Sequence, residues 1–160
     1  MSNIPYIISK ATVIDSSDVA MMVGELLEEI MNAIGSPAFR FNFEETVNRL
    51  TLFIEQEKYV VFIVRGDEGL PIGFIALYES YALYAGGAFG TIPELYVRAA
   101  SRSSSVGRAL VSEAKQFASL RGWTRLEVTT PPLPQFQRTL NFYEREGFAI
   151  SGGRKLKVAL

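Results

Sequence analysis

The fold can be worked out from residues 94–110, ELYVRAASRSSSVGRAL. The stretch begins with an apolar run ending at Val97, continues through three consecutive serines, and shows helical spacing of apolar residues from Val106 onward. A flexible spacer also contains serines. Here, however, they lie between Arg102 and Gly107 and lead directly into a helix, which favours a strand–turn–helix unit.

Such a turn is suited to holding an anion. The first N–H groups of a helix have no intrahelical acceptor and carry the positive end of the helix dipole. Several of them together can hold a phosphate, while Gly107 allows a close approach and Arg102 and Arg108 add charge. The alternative is a serine-capped helix start with surface arginines, and the loop by itself leaves both interpretations open.

The rest of the chain predicts a mixed α/β fold. Short, β-branched or uniformly apolar runs indicate strands, and apolar residues at helical spacing indicate helices. Pro93 lies inside one strand and predicts an irregularity there. The predicted order is β-α-α-β-β-β-α-β-α-β-β, with strands at 6–14, 59–67, 71–84, 91–97 and 125–130, a separator at 85–90, helices at 16–34, 42–56, 104–120 and 134–146, and a terminal hairpin within 148–160.

Composition limits the chemistry. The 160 residues are 48% hydrophobic and 21% charged with a net charge of −1, so we expect one domain over 1–160 and no nucleic-acid partner. No apolar run is long enough to span a membrane and no signal peptide is evident, so we expect a cytoplasmic protein. With neither Cys nor His, a metal site is not expected, and catalysis must use carboxylates, Tyr, Ser, Lys or backbone groups.

The strand–turn–helix segment resembles the acetyl-coenzyme A motif of the GNAT N-acetyltransferases, in which a strand ending Leu-x-Val precedes Arg/Gln-x-x-Gly-x-Gly/Ala. Leu95 and Val97 match the strand, Arg102 matches the Arg/Gln, and Gly107 matches the final Gly/Ala. Ser105 stands where the family usually has its first glycine. If that position needs a positive φ, serine costs about 1 kcal/mol there.

A second stretch, LNFYEREGF at 140–148, is similar to the family's late signature. Tyr143 matches the tyrosine that often serves as the general acid, and Gly147 and Phe148 match the helix stop and the next strand. The two matches have the separation that the family fold requires. The resemblance therefore implies a GNAT-type fold with a mainly antiparallel sheet and helices on both faces.

The resemblance also implies the activity. Family members transfer an acetyl group from acetyl-CoA to a primary amine, usually by direct attack in a ternary complex, and we expect a small-molecule amine here. Acetyl-CoA would be the co-substrate, held by the strand backbone and by N–H groups of the loop. The implied residues are Leu95, Tyr96, Val97, Arg102, Ser103, Ser104, Ser105, Val106, Gly107 and Arg108.

Two side chains are candidates for proton transfer. By resemblance, Tyr143 would protonate the departing thiolate; the alternative is a core aromatic, since Phe142 and Phe148 are close in sequence. Glu94 is the candidate base, because a carboxylate in this region takes the amine proton in many relatives and burial would raise its pKa. The alternative is a Glu94 that faces solvent or pairs with an arginine.

The acceptor site is predicted from aromatic and acidic residues, which suit an ammonium group. We expect it around Tyr78, Glu79, Tyr81 and Tyr84, and around Thr129 and Thr130 at the end of the strand RLEVTT, where the acceptor or the pantetheine arm would pass. The alternative is that the tyrosines pack the sheet or form a dimer contact. The first two helices, which often line this site in the family, add Glu25, Glu28, Glu29, Phe39 and Arg40.

Two further functions stay open. One is acetylation of a protein lysine or N-terminus, which needs an open peptide groove. The other is a non-catalytic acyl-CoA-binding module, which the serine at position 105 keeps under consideration. A homodimer is expected only by analogy with relatives.

Overall fold

The computed structural model describes residues 5–102 and 104–160, and this part of the chain forms two compact units. The first unit ends at Thr129, and the second runs from Thr130 to Leu160. The second unit holds α4 (Gln137–Arg145). The first holds β1 (Ile7–Lys10), α1 (Ser16–Ile34), α2 (Phe43–Glu55), β2 (Val60–Arg65), β3 (Pro71–Ala82), β4 (Gly87–Ile92), β5 (Leu95–Val97), α3 (Val106–Leu120) and β6 (Leu126–Val128).

The strands form one mainly antiparallel sheet, as predicted. Its order is β1-β2-β3-β4-β6, and β5 also pairs with β3. Only the β4–β6 pair is parallel among the described strands. The long strand β3 pairs with β5 along its first half and with β4 along its second half. The strand is therefore interrupted between β4 and β5, at Pro93 and Glu94, and the predicted irregularity at Pro93 is confirmed.

Helices cover both faces of this sheet. On one face, Ile63 of β2 and its cross-strand partner Phe74 of β3 pack in a buried cluster with Met22 of α1. The next residue along β2 points the opposite way, and the ring of Phe62 contacts Phe117 of α3 at 5.8 Å. Burying each of these large side chains stabilises the fold by about 1.5–3 kcal/mol. The predicted fold class is therefore confirmed.

Helix ends follow the sequence signals. Gly35 ends α1 in the left-handed conformation, with φ of 67°. The side chain of Asn42 caps α2 by accepting a 3.0 Å hydrogen bond from the Glu45 N–H. The first strand is shorter than predicted, because a 3-10 turn at Val13–Asp15 precedes α1. Helix α4 likewise starts at Gln137, later than predicted.

The predicted separator at 85–90 is wrong in its second half, because β4 begins at Gly87. Glycine-rich segments are normally interpreted as turns, but Gly90 is required here by packing. A Cβ at this position would lie 2.4 Å from the Trp123 ring. The missing side chain lets the indole rest directly on the strand backbone, so this glycine belongs to a strand.

The predicted terminal hairpin is also wrong. No strand follows α4 in the described chain, and residues 151–160 are exposed. The alternating pattern in KLKVAL indicates a strand only if one face is buried, and Leu156, Val158 and Leu160 are all exposed. None of the described helices combines the length and the apolar character needed to cross a membrane.

Candidate active site

The sheet presents an unpaired backbone edge at β5. Among the described strands β5 pairs only with β3, whereas β4 has β6 on its other side. The Glu94 carbonyl and the Arg98 N–H both bond to β3 at 2.9 Å. Because polar groups alternate along a strand, the N–H and C=O groups of Leu95 and Val97 face the opposite edge. An extended ligand can therefore pair with β5 as an added strand would.

The loop before α3 leaves helix amides available to an anion. The first α-helical bond joins the Ala109 N–H to the Ser105 carbonyl at 3.0 Å, so the N–H groups of Val106 and Gly107 precede it. The hydroxyls turn back into the loop: Ser104 donates to the Ser101 carbonyl, and Ser105 donates to the Ser104 carbonyl at 2.6 Å. The amides, and not the hydroxyls, are thus the donors suited to a phosphate. Arg108 lies exposed on the first turn of α3, and Ser103 lies outside the described residues.

Ser105 has a positive φ, the backbone conformation that the glycine of the family motif would adopt at this position. Its φ is 63° and its ψ is 10°, in the left-handed region that favours glycine. The turn therefore keeps the glycine geometry of the motif although the residue is serine. Its backbone N–H occupies the same position that a glycine N–H would.

We expect Ser105→Gly to raise the free energy of unfolding by about 1 kcal/mol, because glycine carries no Cβ penalty at this φ. The corresponding rise in Tm is about 2–4 °C, measured by thermal and denaturant unfolding. Ser105→Ala is the matched control, since it keeps the Cβ and removes only the hydroxyl bond. A glycine variant no more stable than the alanine variant would show that the turn is not strained.

Arginine–carboxylate pairs join the segment after β5 to α1. Arg98 pairs with Glu25, with Nη2 and Oε2 2.8 Å apart. Arg102 binds both carboxylate oxygens of Glu29, at 2.7 and 2.9 Å, and its Nε donates to the Val97 carbonyl at 2.8 Å. Glu25 and Glu29 were expected near the acceptor, and this is corrected: their carboxylates hold arginines. The Arg102 side chain accordingly positions the loop.

Tyr96 contributes its backbone to the edge strand and its side chain to the core. The ring is buried, and its hydroxyl donates to Glu25 Oε1 at 3.2 Å. Burial raises the pKa of Tyr96, so the phenol stays neutral. The guanidinium of Arg102 lies over the same ring at 5.7 Å.

Glu94 opens into a mainly apolar, partly open cavity of about 200 Å³. Burial raises the pKa of this carboxyl to about 7, only partly offset by the Tyr59 hydroxyl, which lies 3.5 Å from Oε2. The alternative of a solvated or arginine-paired Glu94 is not what the structure shows. The other lining residues are Val19, Val23, Leu27, Arg40, Phe41, Thr46, Arg49, Leu50, Phe53, Tyr59, Val61, Phe74 and Ala76.

A wider, more open groove of about 470 Å³ shares Phe53 and Tyr59 with this cavity. The Tyr59 and Tyr78 rings stack there at 6.1 Å, and Phe53 packs on Tyr59 at 5.0 Å. Tyr59 was missed by sequence reasoning, because it stands at the head of the apolar run YVVFIVRGD and looks like a strand residue. The groove is lined by Phe53, Glu57, Lys58, Tyr59, Tyr78, Glu79 and Tyr81.

The structure brings Glu79 and Tyr81, two of the predicted acceptor-site residues, together in this groove. Glu79 accepts hydrogen bonds from the Tyr81 hydroxyl and from the Trp123 indole N–H, the latter at 2.7 Å. These bonds lower the pKa of Glu79, so the carboxylate is ionised and can attract a cation.

Three predicted acceptor residues do not line either cavity. Tyr84 is 80% exposed, and its ring lies under the Arg125 guanidinium at 5.3 Å, away from Tyr81 in the groove. Thr129 directly follows Val128, the partner of Ile92, at the end of the sheet where β4 stops. Thr130 is the first residue of the second unit.

Tyr143 lies in α4 with a buried ring, 6% exposed, between Phe142 and Phe148, both at 5.4 Å. Burial raises its pKa above the ordinary value, so it carries its proton at neutral pH. Its hydroxyl makes no hydrogen bond to the described residues, and no fully buried polar side-chain atom among them lacks a partner. The Tyr143 oxygen is therefore not completely buried, although most of the side chain is.

No group of three or more carboxylate, His or Cys side chains suited to a metal occurs in the described chain. The polar groups that the first unit offers are one raised-pKa carboxyl at Glu94, the protonated Tyr59 and Tyr96, and backbone amides. This set can move protons and hold an extended, phosphate-bearing ligand.

Comparisons with solved structures agree with the fold. An integron cassette protein from the mobile metagenome of Cole Harbour Salt Marsh has 20% identity and a TM-score of 0.78, covering 96% of this chain and 90% of its own. A ribosomal-protein-alanine N-acetyltransferase from Brucella melitensis biovar Abortus has 18% identity and a TM-score of 0.72, covering 97% and 99%. An aminoglycoside acetyltransferase from an uncultured soil metagenomic sample, solved with sisomicin, has 15% identity and a TM-score of 0.75, covering 97% and 96%.

Sequence comparison identifies the family. No functionally curated protein matches this sequence. The profile of the acetyltransferase (GNAT) domain, however, matches residues 57–150, which include β5, the serine loop, α3 and Tyr143. The similarity that residues 94–110 suggested is thus found independently over more than half of the chain, and the protein belongs to the GNAT acetyltransferase family.

Proposed function

We propose that the protein is an acetyl-CoA-dependent N-acetyltransferase that acetylates a primary amine of a small molecule by direct attack. The observation that supports this most is the position of Glu94. Its carboxyl, with a pKa of about 7, opens into an apolar cavity directly before the unpaired edge of β5. A base and a binding edge for an extended acyl donor are thus adjacent along one strand.

Glu94 is the general base in this proposal. An amine is mostly protonated at neutral pH and must lose a proton before it attacks. A carboxylate with a pKa near the working pH is efficient at this, because it is substantially ionised and still basic enough to accept the proton. The charged or titratable groups that share its cavity are Tyr59, Arg40 and Arg49.

The residues present fit acetyl-CoA. The outward N–H and C=O of Leu95 and the N–H of Val97 would hold its pantetheine arm, since the Val97 carbonyl already accepts from Arg102. The amides of Val106 and Gly107 would hold its pyrophosphate. When bound, it supplies the activated acetyl thioester. The Tyr143 hydroxyl, protonated because burial raises its pKa, would give its proton to the departing sulfur.

A calorimetric titration tests the donor site first. We expect acetyl-CoA to bind at one equivalent per chain in the micromolar range, about −8 kcal/mol. Dephospho-CoA, which keeps the pyrophosphate, is expected to bind comparably. Absence of binding would refute the proposal and would leave the GNAT fold with another use.

Turnover is tested with amines in the presence of acetyl-CoA, measured as release of the CoA thiol. Direct attack predicts intersecting initial-rate lines, whereas a covalent acetyl-enzyme predicts parallel ones. Binding without acetylation of any amine or peptide would identify the alternative, a non-catalytic acyl-CoA-binding module.

Acetylation of a protein N-terminus or lysine is the second candidate. It is favoured by the open groove beside the cavity, which an extended peptide could occupy. The small volume of the Glu94 cavity, about 200 Å³, favours a small acceptor instead. Peptides acetylated with higher kcat/KM than every small amine would reverse this preference.

A further inference from the structure

The Glu94 cavity is lined by one carboxyl, Glu94, and by two guanidinium groups, Arg40 and Arg49, which come from different elements of the fold. We propose that the acceptor amine also bears an anionic group, separated from the amine by an apolar group of about one ring, and that Arg40 and Arg49 bind that anion. This inference rests on the proposed function and names the substrate class of the same site.

The two walls come from different elements. Glu94 lies on the sheet wall, directly before β5, beside Phe74 and Ala76 of β3. The helical wall is a single face of α2. Thr46, Arg49, Leu50 and Phe53 have the spacing i, i+3, i+4 and i+7, so their side chains project from the same side of the helix.

Arg40 reaches the cavity from the loop between α1 and α2. The neighbouring Phe41 packs against α1 at Gly24, where a Cβ would lie only 2.7 Å from its ring. Glycine in the helix thus makes a recess for the phenylalanine. This contact holds the loop against the cavity and places Arg40 at its rim.

Neither of these two arginines forms an ion pair with the residues that the structure describes, and both are exposed. Other arginines of the first unit do pair with carboxylates, which shows that this surface offers acidic partners where the fold needs them. Two guanidinium groups at one cavity rim are suited to bind a carboxylate or phosphate. The paired arginines are Arg65, Arg98, Arg102 and Arg125.

The volume of the Glu94 cavity limits the apolar segment between the amine and the anionic group of the acceptor. A cavity of about 150 Å³ holds a benzene molecule. The Glu94 cavity, at about 200 Å³, therefore has room for one ring or a branched aliphatic group. Between Glu94 and the arginines its walls are mainly aliphatic and aromatic side chains, which favour an apolar segment there.

The test uses three amines of one shape that differ only in the charge at the far end. These are 4-(aminomethyl)benzoate, 4-methylbenzylamine and 1,4-bis(aminomethyl)benzene. We expect kcat/KM with acetyl-CoA to fall in that order, by about tenfold between the carboxylate and the neutral probe, as one charge-assisted contact would give. Equal values, or a preference for the diamine, would overturn the inference while leaving the acetyltransferase function intact.

Substitutions of Arg40 and Arg49 test whether these two residues cause the preference for the carboxylate probe. Arg49→Gln and Arg40→Gln should each lower kcat/KM for the carboxylate probe and leave the neutral probe nearly unchanged. The exposed Arg154→Gln is the control for loss of a positive charge elsewhere. If both probes change equally in the cavity variants, the arginines support the fold and do not select the ligand.

A binding measurement separates this inference from the proposed function. The three probes are titrated calorimetrically into the protein saturated with CoA. Selective binding of the carboxylate probe without any turnover would support an anionic amine as the ligand and would refute the acetyl-transfer reaction. Absence of binding by the carboxylate probe, or equal affinity for all three, would overturn the acceptor class.

Discussion

Substituting glutamine for Glu94 is expected to lower kcat/KM for the acceptor amine by about 10²- to 10⁴-fold, the usual contribution of a general base. Glutamine has nearly the same shape and fills the same cavity, but it cannot accept the proton of the ammonium group. Acetyl-CoA affinity should be retained, because the donor is held by backbone groups of β5 and α3. The measurement is steady-state release of CoA together with calorimetric binding of acetyl-CoA.

The pH profile makes this prediction specific to proton transfer. A base works only when ionised, so kcat/KM of the native protein should rise with pH through about 7, the pKa of the buried Glu94 carboxyl. A second rise at higher pH belongs to the amine itself. In Glu94→Gln the first rise should disappear and the second should remain. An unchanged profile in the variant would remove Glu94 from the mechanism.

The same substitution has an opposite effect on stability. The pKa of Glu94 is about 7 in the folded protein against an ordinary value of 4.5, so the neutral form is favoured by folding. Its contribution to stability is present below pH 4.5 and is lost as the pH rises through 7. Between pH 5 and pH 8, the native protein should lose about 2–3 kcal/mol that Glu94→Gln keeps.

Denaturant unfolding at the two pH values checks this result. Glu28→Gln is the matched control, since Glu28 is an exposed carboxylate on α1. It should lose as much stability between pH 5 and pH 8 as the native protein. A Glu94→Gln variant that behaves like the control would mean that this carboxyl is well solvated and ordinary in its titration.

The sequence was sufficient for the parts of the fold that depend on local pattern. Residues 94–110 alone indicated a strand, a turn and a helix. Helix α1 ends before Gly35 and helix α2 begins after Asn42, as the capping residues predicted. Pro93 correctly predicted the interruption between β4 and β5. These signals are short-range: each depends on backbone conformations that the residue itself favours or forbids.

The errors in the fold arose where distant packing overrides local preference. Gly90 is a strand residue because the Trp123 ring needs its space, and these two residues are 33 positions apart in the sequence. The alternating apolar residues near the end of the chain, Leu156, Val158 and Leu160, are exposed and do not pack on a buried surface. Neither fact can be read from a window of neighbouring residues.

The candidate site shows the same division. Glu94 could be proposed as the base from the sequence, because a single carboxylate in an apolar strand is unusual unless it has a function. Glu25 and Glu29 could not be assigned in the same way, since their arginine partners are 73 residues away along the chain. The sequence indicated Arg40 as a residue near the acceptor, but the grouping with Arg49 depends on the fold of the loop over Gly24.

Replacing Tyr143 by Phe is expected to lower kcat by about 10²-fold or more, the contribution of a general acid that protonates a leaving group. The substitution removes a single oxygen, and that oxygen makes no hydrogen bond to the described residues. The ring contacts with Phe142 and Phe148, both at 5.4 Å, should be retained. Stability and acetyl-CoA affinity should therefore stay close to those of the native protein, while turnover falls.

This separation of turnover from stability distinguishes the two interpretations of Tyr143. A tyrosine that only packs the core loses nothing when its accessible hydroxyl is removed, so a Phe variant with native kcat would leave it a core aromatic. The exposed Tyr84→Phe is the control and should have native kcat, because the Tyr84 ring lies at the surface against Arg125. Since burial raises the pKa of Tyr143 above its ordinary value of 10, the native kcat should also show no decline up to pH 10. A decline with an apparent pKa below 10 that is absent from the Phe variant would place this hydroxyl in a wetter environment than the structure shows.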